Sequence, residues 1–182
     1  MKKIFIIGFI MVILIVGISL FINYPEKFGQ GVDLSKQSVE YSDNGITLSI
    51  PGNWVSATTQ TNDSVLAVAD PDSKDSSGFN DVNVNIQKKS NVRSLESEFN
   101  SNYNVLARNS DFNILFEGNV TFNGESALEA DYTDESSGVS KQHKAVWIQK
   151  GSDIYVILCS APQSEFDAKL STFDFIINSV QL

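Results

Sequence analysis

The chain encodes an α+β sandwich, a mostly antiparallel sheet covered by two helices, and three observations predict it. Tight-turn dipeptides recur at Asn44-Gly45, Asn123-Gly124 and Ser137-Gly138, and two-residue turns of this kind join antiparallel strands. Apolar residues alternate at Ile46, Leu48 and Ile50 and again at Val82, Val84 and Ile86, the period of a half-buried strand. Two other segments carry helical spacing: Leu95, Phe99, Tyr103 and Leu106, then Phe166, Leu170, Phe173, Ile177 and Val180. Helices with one apolar stripe need a sheet face to cover.

Taken in order, Val39-Glu40-Tyr41 is a short extended piece, and Asn44-Gly45 turns it back into Ile46–Ile50. Pro51-Gly52-Asn53 is a turn, after which Trp54 opens a strand running to Thr59. Val65–Val68 is the next strand, and Asp70–Asn80 is a loop rich in Asp, Ser, Pro and Gly. Asp81–Gln87 returns to strand. Ser94–Arg108 reads as a helix, with Ser94 as its cap and Glu96 and Glu98 at its positive end. Ile114–Phe122 and Ala127–Thr133 form a hairpin through Asn123-Gly124; Ser140–Gln149 and Asp153–Ser160 form another across Lys150-Gly151-Ser152. Pro162 is expected to start the last helix. No internal repeat is visible.

The chain begins differently. Ile4 to Ile22 is a run of 19 residues without a charge, just long enough as a helix to cross a hydrocarbon core of about 30 Å. Lys2 and Lys3 precede it, which predicts a cytoplasmic N-terminus and an extracytoplasmic remainder. The alternative is a cleaved signal peptide cut after Ser19, giving a secreted domain. Residues 1–25 are thus read as anchor or signal, 26–37 as a polar linker and 38–182 as the domain. The chain has 13 Lys+Arg and 22 Asp+Glu; with Lys2 and Lys3 set aside, the exported part carries a formal charge of −11. Such a surface repels phosphate backbones, so nucleic acid is not an expected partner. It also disfavours adsorption on anionic lipid, leaving Ile4–Ile22 as the link to the membrane.

Candidate chemistry is sparse. Asp70, Asp72, Asp75 and Asp81 could gather oxygen ligands for Ca²⁺. Their spacing departs from the EF-hand loop, because Lys74 stands at the fifth-ligand place with no Gly after it, and favours a solvated loop. His143 is the single histidine and the one available base for a Ser-His-Asp triad. Its neighbours Gln142 and Lys144 predict an exposed strand position, and no Gly-x-Ser-x-Gly elbow is present. Cys159, alone of its kind, lies in an apolar run that predicts a buried, inert thiol. One cysteine and one histidine make a zinc site improbable on ligand count. Asn62-Asp63-Ser64 and Asn119-Val120-Thr121 match the N-glycosylation pattern. In Ile50-Pro51-Gly52-Asn53-Trp54, the tryptophan is expected to plug the core.

Two segments, Tyr41-Ser42-Asp43-Asn44-Gly45-Ile46-Thr47-Leu48-Ser49-Ile50-Pro51-Gly52-Asn53-Trp54 and Phe175-Ile176-Ile177-Asn178-Ser179-Val180, resemble the PsbP-like family. With the order of elements, the resemblance covers about Val39 to Leu182. It implies a central antiparallel sheet flanked by helices, an α/β/α sandwich. It also implies a binding or assembly role with a protein partner in place of an enzyme activity; no cofactor is expected. No metal-binding or partner-binding residue of the family has a counterpart here, and the membrane anchor sets the chain apart from the photosynthetic member. The function expected is therefore a membrane-tethered, extracytoplasmic, non-enzymatic binding or assembly module. The alternatives are a small-ligand or Ca²⁺-binding domain and, further off, a hydrolase using His143.

Overall fold

The computed structural model describes residues 37–58, 62–76, 78–90, 94–136 and 138–182. The expected span Ile4–Ile22 and nearly all of the linker lie outside the described residues. Among those described, no helix is long and apolar enough to cross a membrane.

The domain opens with a two-stranded ribbon, β1 (Ser38–Asp43) and β2 (Ile46–Pro51), paired antiparallel from Ser38↔Pro51 to Asp43↔Ile46. Asn44 and Gly45 have φ of 50° and 79°, the left-handed pair that a hairpin of this twist requires and that Asn-Gly adopts at least cost. Seven further strands form one antiparallel sheet: β3 (Val55–Ser56), β4 (Ser64–Ala69), β5 (Asn83–Lys89), β6 (Asn113–Phe122), β7 (Glu125–Ser136), β8 (Val139–Lys150) and β9 (Asp153–Pro162). Their order across the sheet is β3-β4-β5-β9-β8-β7-β6. Helix α1 (Leu95–Leu106) lies on one face. Helix α2 (Phe166–Ser179) and the β1–β2 ribbon lie on the other. The result is the expected three-layer sandwich of antiparallel sheet and helices.

Strand β9 holds the centre. Its run Ile154-Tyr155-Val156-Ile157-Leu158-Cys159 is apolar on both sides, as a strand covered on both faces must be. Ile154, Val156 and Leu158 join Phe99, Tyr103, Leu106, Tyr132 and Trp147 under α1. Ile157 and Cys159 join Val84, Ile86, Val146, Ile148, Phe166, Phe173 and Ile176 under α2. The α1 core is aromatic: Phe99 and Tyr103 meet Trp147 at centroid distances of 5.7 and 6.0 Å. The indole Nε1 of Trp147 donates to Tyr103 Oη at 3.1 Å, so neither polar tip is stranded in the interior. Ser94 caps α1 by accepting from Ser97 N. The ribbon is fastened late in the chain: Thr47 N donates to Gln181 O at 3.1 Å, and Ser49 N to Ser179 Oγ at 2.8 Å.

Two expected elements change. Of the strand expected from Trp54 to Thr59, Thr59 lies outside the described residues, and the described part as far as Thr58 holds only Val55–Ser56. Trp54 precedes it, buried in the α2-side core, with its amide held by Pro51 O at 2.9 Å. Burying a large indole at the end of a turn sets the chain's path more firmly than strand propensity does. Pro162 does not start α2. It ends β9 opposite Lys141, and a turn closed by Glu165 N to Pro162 O at 2.9 Å leads into the helix at Phe166. The ladder continues through Gln163 N to Ser140 O at 2.9 Å, a pairing stronger than the local helix-start signal.

Phe173 is fully buried where α2 meets the sheet, in contact with Phe166. Phe173→Ala is expected to cost about 3–5 kcal/mol in urea denaturation through lost transfer energy and a residual cavity; a loss below about 1 kcal/mol would contradict this packing.

Candidate functional site

Beyond the aromatic patch under α1, the same face of the sheet turns polar. The register places Asn83, Ser160, His143 and Tyr132 side by side on β5, β9, β8 and β7, and directly opposed residues share a face. His143 is not exposed, as its neighbours suggested, but fully buried. Lys144 points to the opposite face, half-buried, its long stem packed while its ammonium reaches Glu129. Polar flanks do not mark exposure on a strand whose two faces are both covered.

The His143 ring stacks on Tyr132 at 4.7 Å. Its Nδ1 lies 2.8 Å from Ser160 Oγ and its Nε2 3.4 Å from Asp134 Oδ1. Burial lowers its pKa, with Asp134 opposing and the Lys141 charge reinforcing the shift. The ring is thus neutral at pH 7: Nε2–H faces the Asp134 carboxylate and Nδ1 accepts from the serine hydroxyl. The three groups stand in hydroxyl–imidazole–carboxylate order, yet Ser160 is itself buried and sits between two paired strands. Next to this row, Lys141 pairs with Asp81 at 2.8 Å. Toward β5 and α1, Gln87 Oε1 and both amide atoms of Asn102 are buried without a hydrogen-bonding partner.

Three of the four aspartates proposed as oxygen ligands take separate partners, and the fourth faces solvent. Asp70 binds Lys169 at 2.8 Å and accepts from Asp72 N at 3.1 Å. Asp75 accepts from Phe79 N at 2.9 Å, closing its own loop. Asp81 goes to Lys141, and Asp72 is exposed. Among the described residues, no group of three or more His, Cys, Asp or Glu is placed to share an ion. Asn62 is exposed in a turn and Asn119 is exposed on β6. Cys159 is buried, and burial pushes its thiol pKa up.

A second constellation lies on the α2 face of β7 and β6. Glu129 and Asp131 project from β7, with Lys144 of β8 and Asp174 of α2 close enough to act on them. Lys144 Nζ binds Glu129 at 2.9 Å. Asp131 Oδ1 is buried without a partner, and the Asp131 pKa is raised to about 6, first by burial, then by Glu129 and Asp174, against Lys144. Opposite Asp131 stands Phe116 of β6, 44% exposed, and opposite Glu129 stands Gly118. The Phe116 ring occupies the space over Gly118, where a Cβ would sit 2.7 Å from it. A bulge between Ile114 and Phe116 leaves Leu115 49% exposed. Sequence reading missed this place. Its one signal was the run Ile114-Leu115-Phe116, three apolar residues that a regular alternation cannot bury together.

The buried His143 and the half-buried Asp131 respond to pH in opposite senses. His143 has a folded pKa below its ordinary 6.5, so its contribution is present above that value and is lost as pH falls below it. Asp131 is raised from 3.8 to about 6, so its contribution is present below its ordinary value and is lost as pH rises through the folded one. His143→Gln should therefore flatten the loss of stability on acidification below pH 6.5. Asp131→Asn should stabilise by on the order of 1 kcal/mol at neutral pH, after solvent screening, and lose that advantage in acid. Denaturation midpoints across pH check both, and parallel profiles for either variant and wild type would refute the assignment.

The profile of the family described as PsbP-like protein matches residues 4–182. No curated protein is similar to the chain in sequence. Among solved structures, the chain is similar to cyanobacterial PsbP (CyanoP) from Synechocystis sp. PCC 6803, with a TM-score of 0.59, 14% identity and coverage of 87% of this chain and 98% of that one. It is also similar to LpqN of Mycobacterium tuberculosis, described as involved in cell envelope biogenesis, with a TM-score of 0.56, 14% identity and coverage of 80% and 90%. The Saccharomyces cerevisiae Ran-binding protein Mog1p gives a TM-score of 0.53 at 10% identity, covering 79% and 94%. At these identities the structural likeness establishes the fold. With the profile spanning nearly the whole sequence and the antiparallel sandwich in agreement, the chain belongs to the PsbP-like family.

Proposed function

We propose that this chain is a non-enzymatic binding or assembly module for a protein partner, held outside the cytoplasm by Ile4–Ile22. The observation that carries the reading is where its unsatisfied surface lies. The row around His143 is tied largely to itself, whereas among the described residues two of the four exposed large apolar side chains, Leu115 and Phe116, sit together on β6 beside Asp131, whose Oδ1 has no partner. Contact surfaces of this kind serve macromolecules better than small substrates, which favour concave sites. The likeness to a Ran-binding protein and to a protein of envelope biogenesis supports the same reading. The uncharged run behind Lys2 and Lys3 supports the tether.

The hydroxyl–imidazole–carboxylate order does not favour a hydrolase. Ser160 is 4% exposed and His143 fully buried, and the backbone of Ser160 belongs to the ladders with β5 and β8, whereas acyl transfer needs an open nucleophile and free donors for the oxyanion. A fluorophosphonate probe is expected to leave Ser160 unlabelled in the folded protein; labelling that His143→Gln abolishes would restore the hydrolase.

Crosslinking on intact cells, followed by capture of the full chain in detergent, is expected to retain a protein partner. Protease added outside should digest the C-terminal domain. Absence of any partner would overturn the binding role, and a protected C-terminal domain would overturn the location.

A further inference from the structure

We infer that the free edge of β6 is a strand-addition site for an extended protein segment carrying lysine or arginine at alternate positions. The inference rests on the binding reading above and gives it a surface and a partner chemistry.

Three observations converge. First, among the described residues β6 is the last strand of the sheet, 10 residues long, while the opposite edge, β3, has only two. A long edge strand offers a row of backbone donors and acceptors to another chain. Second, β6 keeps Leu115 and Phe116 exposed at its bulge, and the ring of Phe116 fills the space over Gly118. Third, the α2 face just inside this edge is short of positive charge. Glu129, Asp131 and Asp174 face one lysine, Lys144, and Asp131 has a buried oxygen with no partner.

Geometry joins the three. Residues of an added strand on the α2 face would stand beside Phe116 and Gly118. Glu129 and Asp131 lie two strand spacings away, each about 4.8 Å, a gap that an extended basic side chain and a carboxylate close between them. Gly118 puts no side chain in that lane, and the Phe116 ring gives it an aromatic floor on which a guanidinium stacks. Such a cation would meet the carboxylates that Lys144 leaves unbalanced. The same charges decide against a second copy of this chain. Glu117 is exposed on the edge itself, and the domain is strongly acidic, so edge-to-edge pairing of copies sets like charges together. The bulge and Glu117 thus protect the edge from self-association while leaving it open to a basic strand.

The test uses the full chain in detergent micelles and a capped peptide as long as β6, alternating valine and arginine. Binding should protect the amides of residues 113–122 from hydrogen exchange. Phe116→Ala and Asp131→Asn should each weaken it about tenfold, while Glu40→Gln, which removes one exposed charge on β1, should leave it unchanged. A valine–glutamate peptide, and the same valines and arginines arranged in two blocks, should not bind. Equal losses from Asp131→Asn and Glu40→Gln, or binding without protection of 113–122, would overturn the site in favour of general charge attraction. The crosslinking capture separates this inference from the reading beneath it. A partner held equally by wild type and by the Phe116→Ala, Asp131→Asn double variant removes the edge and leaves the binding role; no partner for either removes the role itself.

Discussion

The position of β9 governs this structure. Last of the described strands in chain order, β9 lies between β5 and β8 and completes the ladder of both. Until it arrives, β5 has one unpaired side and the two halves of the sheet have no common hydrogen bonds. Its alternating side chains also supply apolar groups to both cores, Ile154, Val156 and Leu158 to one and Ile157, Cys159 and Ala161 to the other. A single strand therefore fixes the sheet's continuity and the seating of both helices. Pairings so distant in sequence carry a large loop-closure cost and mark a fold that forms slowly compared with a helical bundle of equal size.

Much of this was legible in the chain, and the legible parts share a cause. Asn44-Gly45 and Asn123-Gly124 adopt positive φ at both positions, so the turn type follows from the residue types alone. The stripe from Phe166 to Ile177 became α2 because helical spacing and burial agree. Ser94 caps α1 as its position predicted. What escaped depends on partners far along the chain. Nothing near Asn83–Lys89 says that β9 will lie beside it. Nothing near His143 says that Ser160 and Asp134 will enclose it, and the neighbouring Gln142 and Lys144 pointed the other way. Trp54 lies in the core as its type predicts, yet it precedes the strand it was expected to open, because its indole is buried at the end of a turn.

The two polar constellations illustrate different uses of similar residues. Around His143 the groups face inward and satisfy one another, so their energetic effect is to fix strand register in a stretch of sheet where apolar packing gives way. Around Asp131 they lie beside an open edge, and their charges do not cancel. The candidate site was the harder of the two to foresee. It arises from a bulge, a glycine and carboxylates brought together from β7 and α2, and no short motif encodes any of these.

The ribbon at the start of the domain has a mechanical consequence. Ser38 and Pro51 lie at the open end of the β1–β2 hairpin, away from its turn, and β1 is largely exposed while β2 is pinned to the last residues of the chain. A pull entering at Ser38 would open this hairpin like a zipper, one pair of bonds at a time, against modest resistance. The seven-stranded sheet would feel little of that load until β1 had peeled away. Under such a load the ribbon would yield before the sheet that carries Leu115 and Phe116.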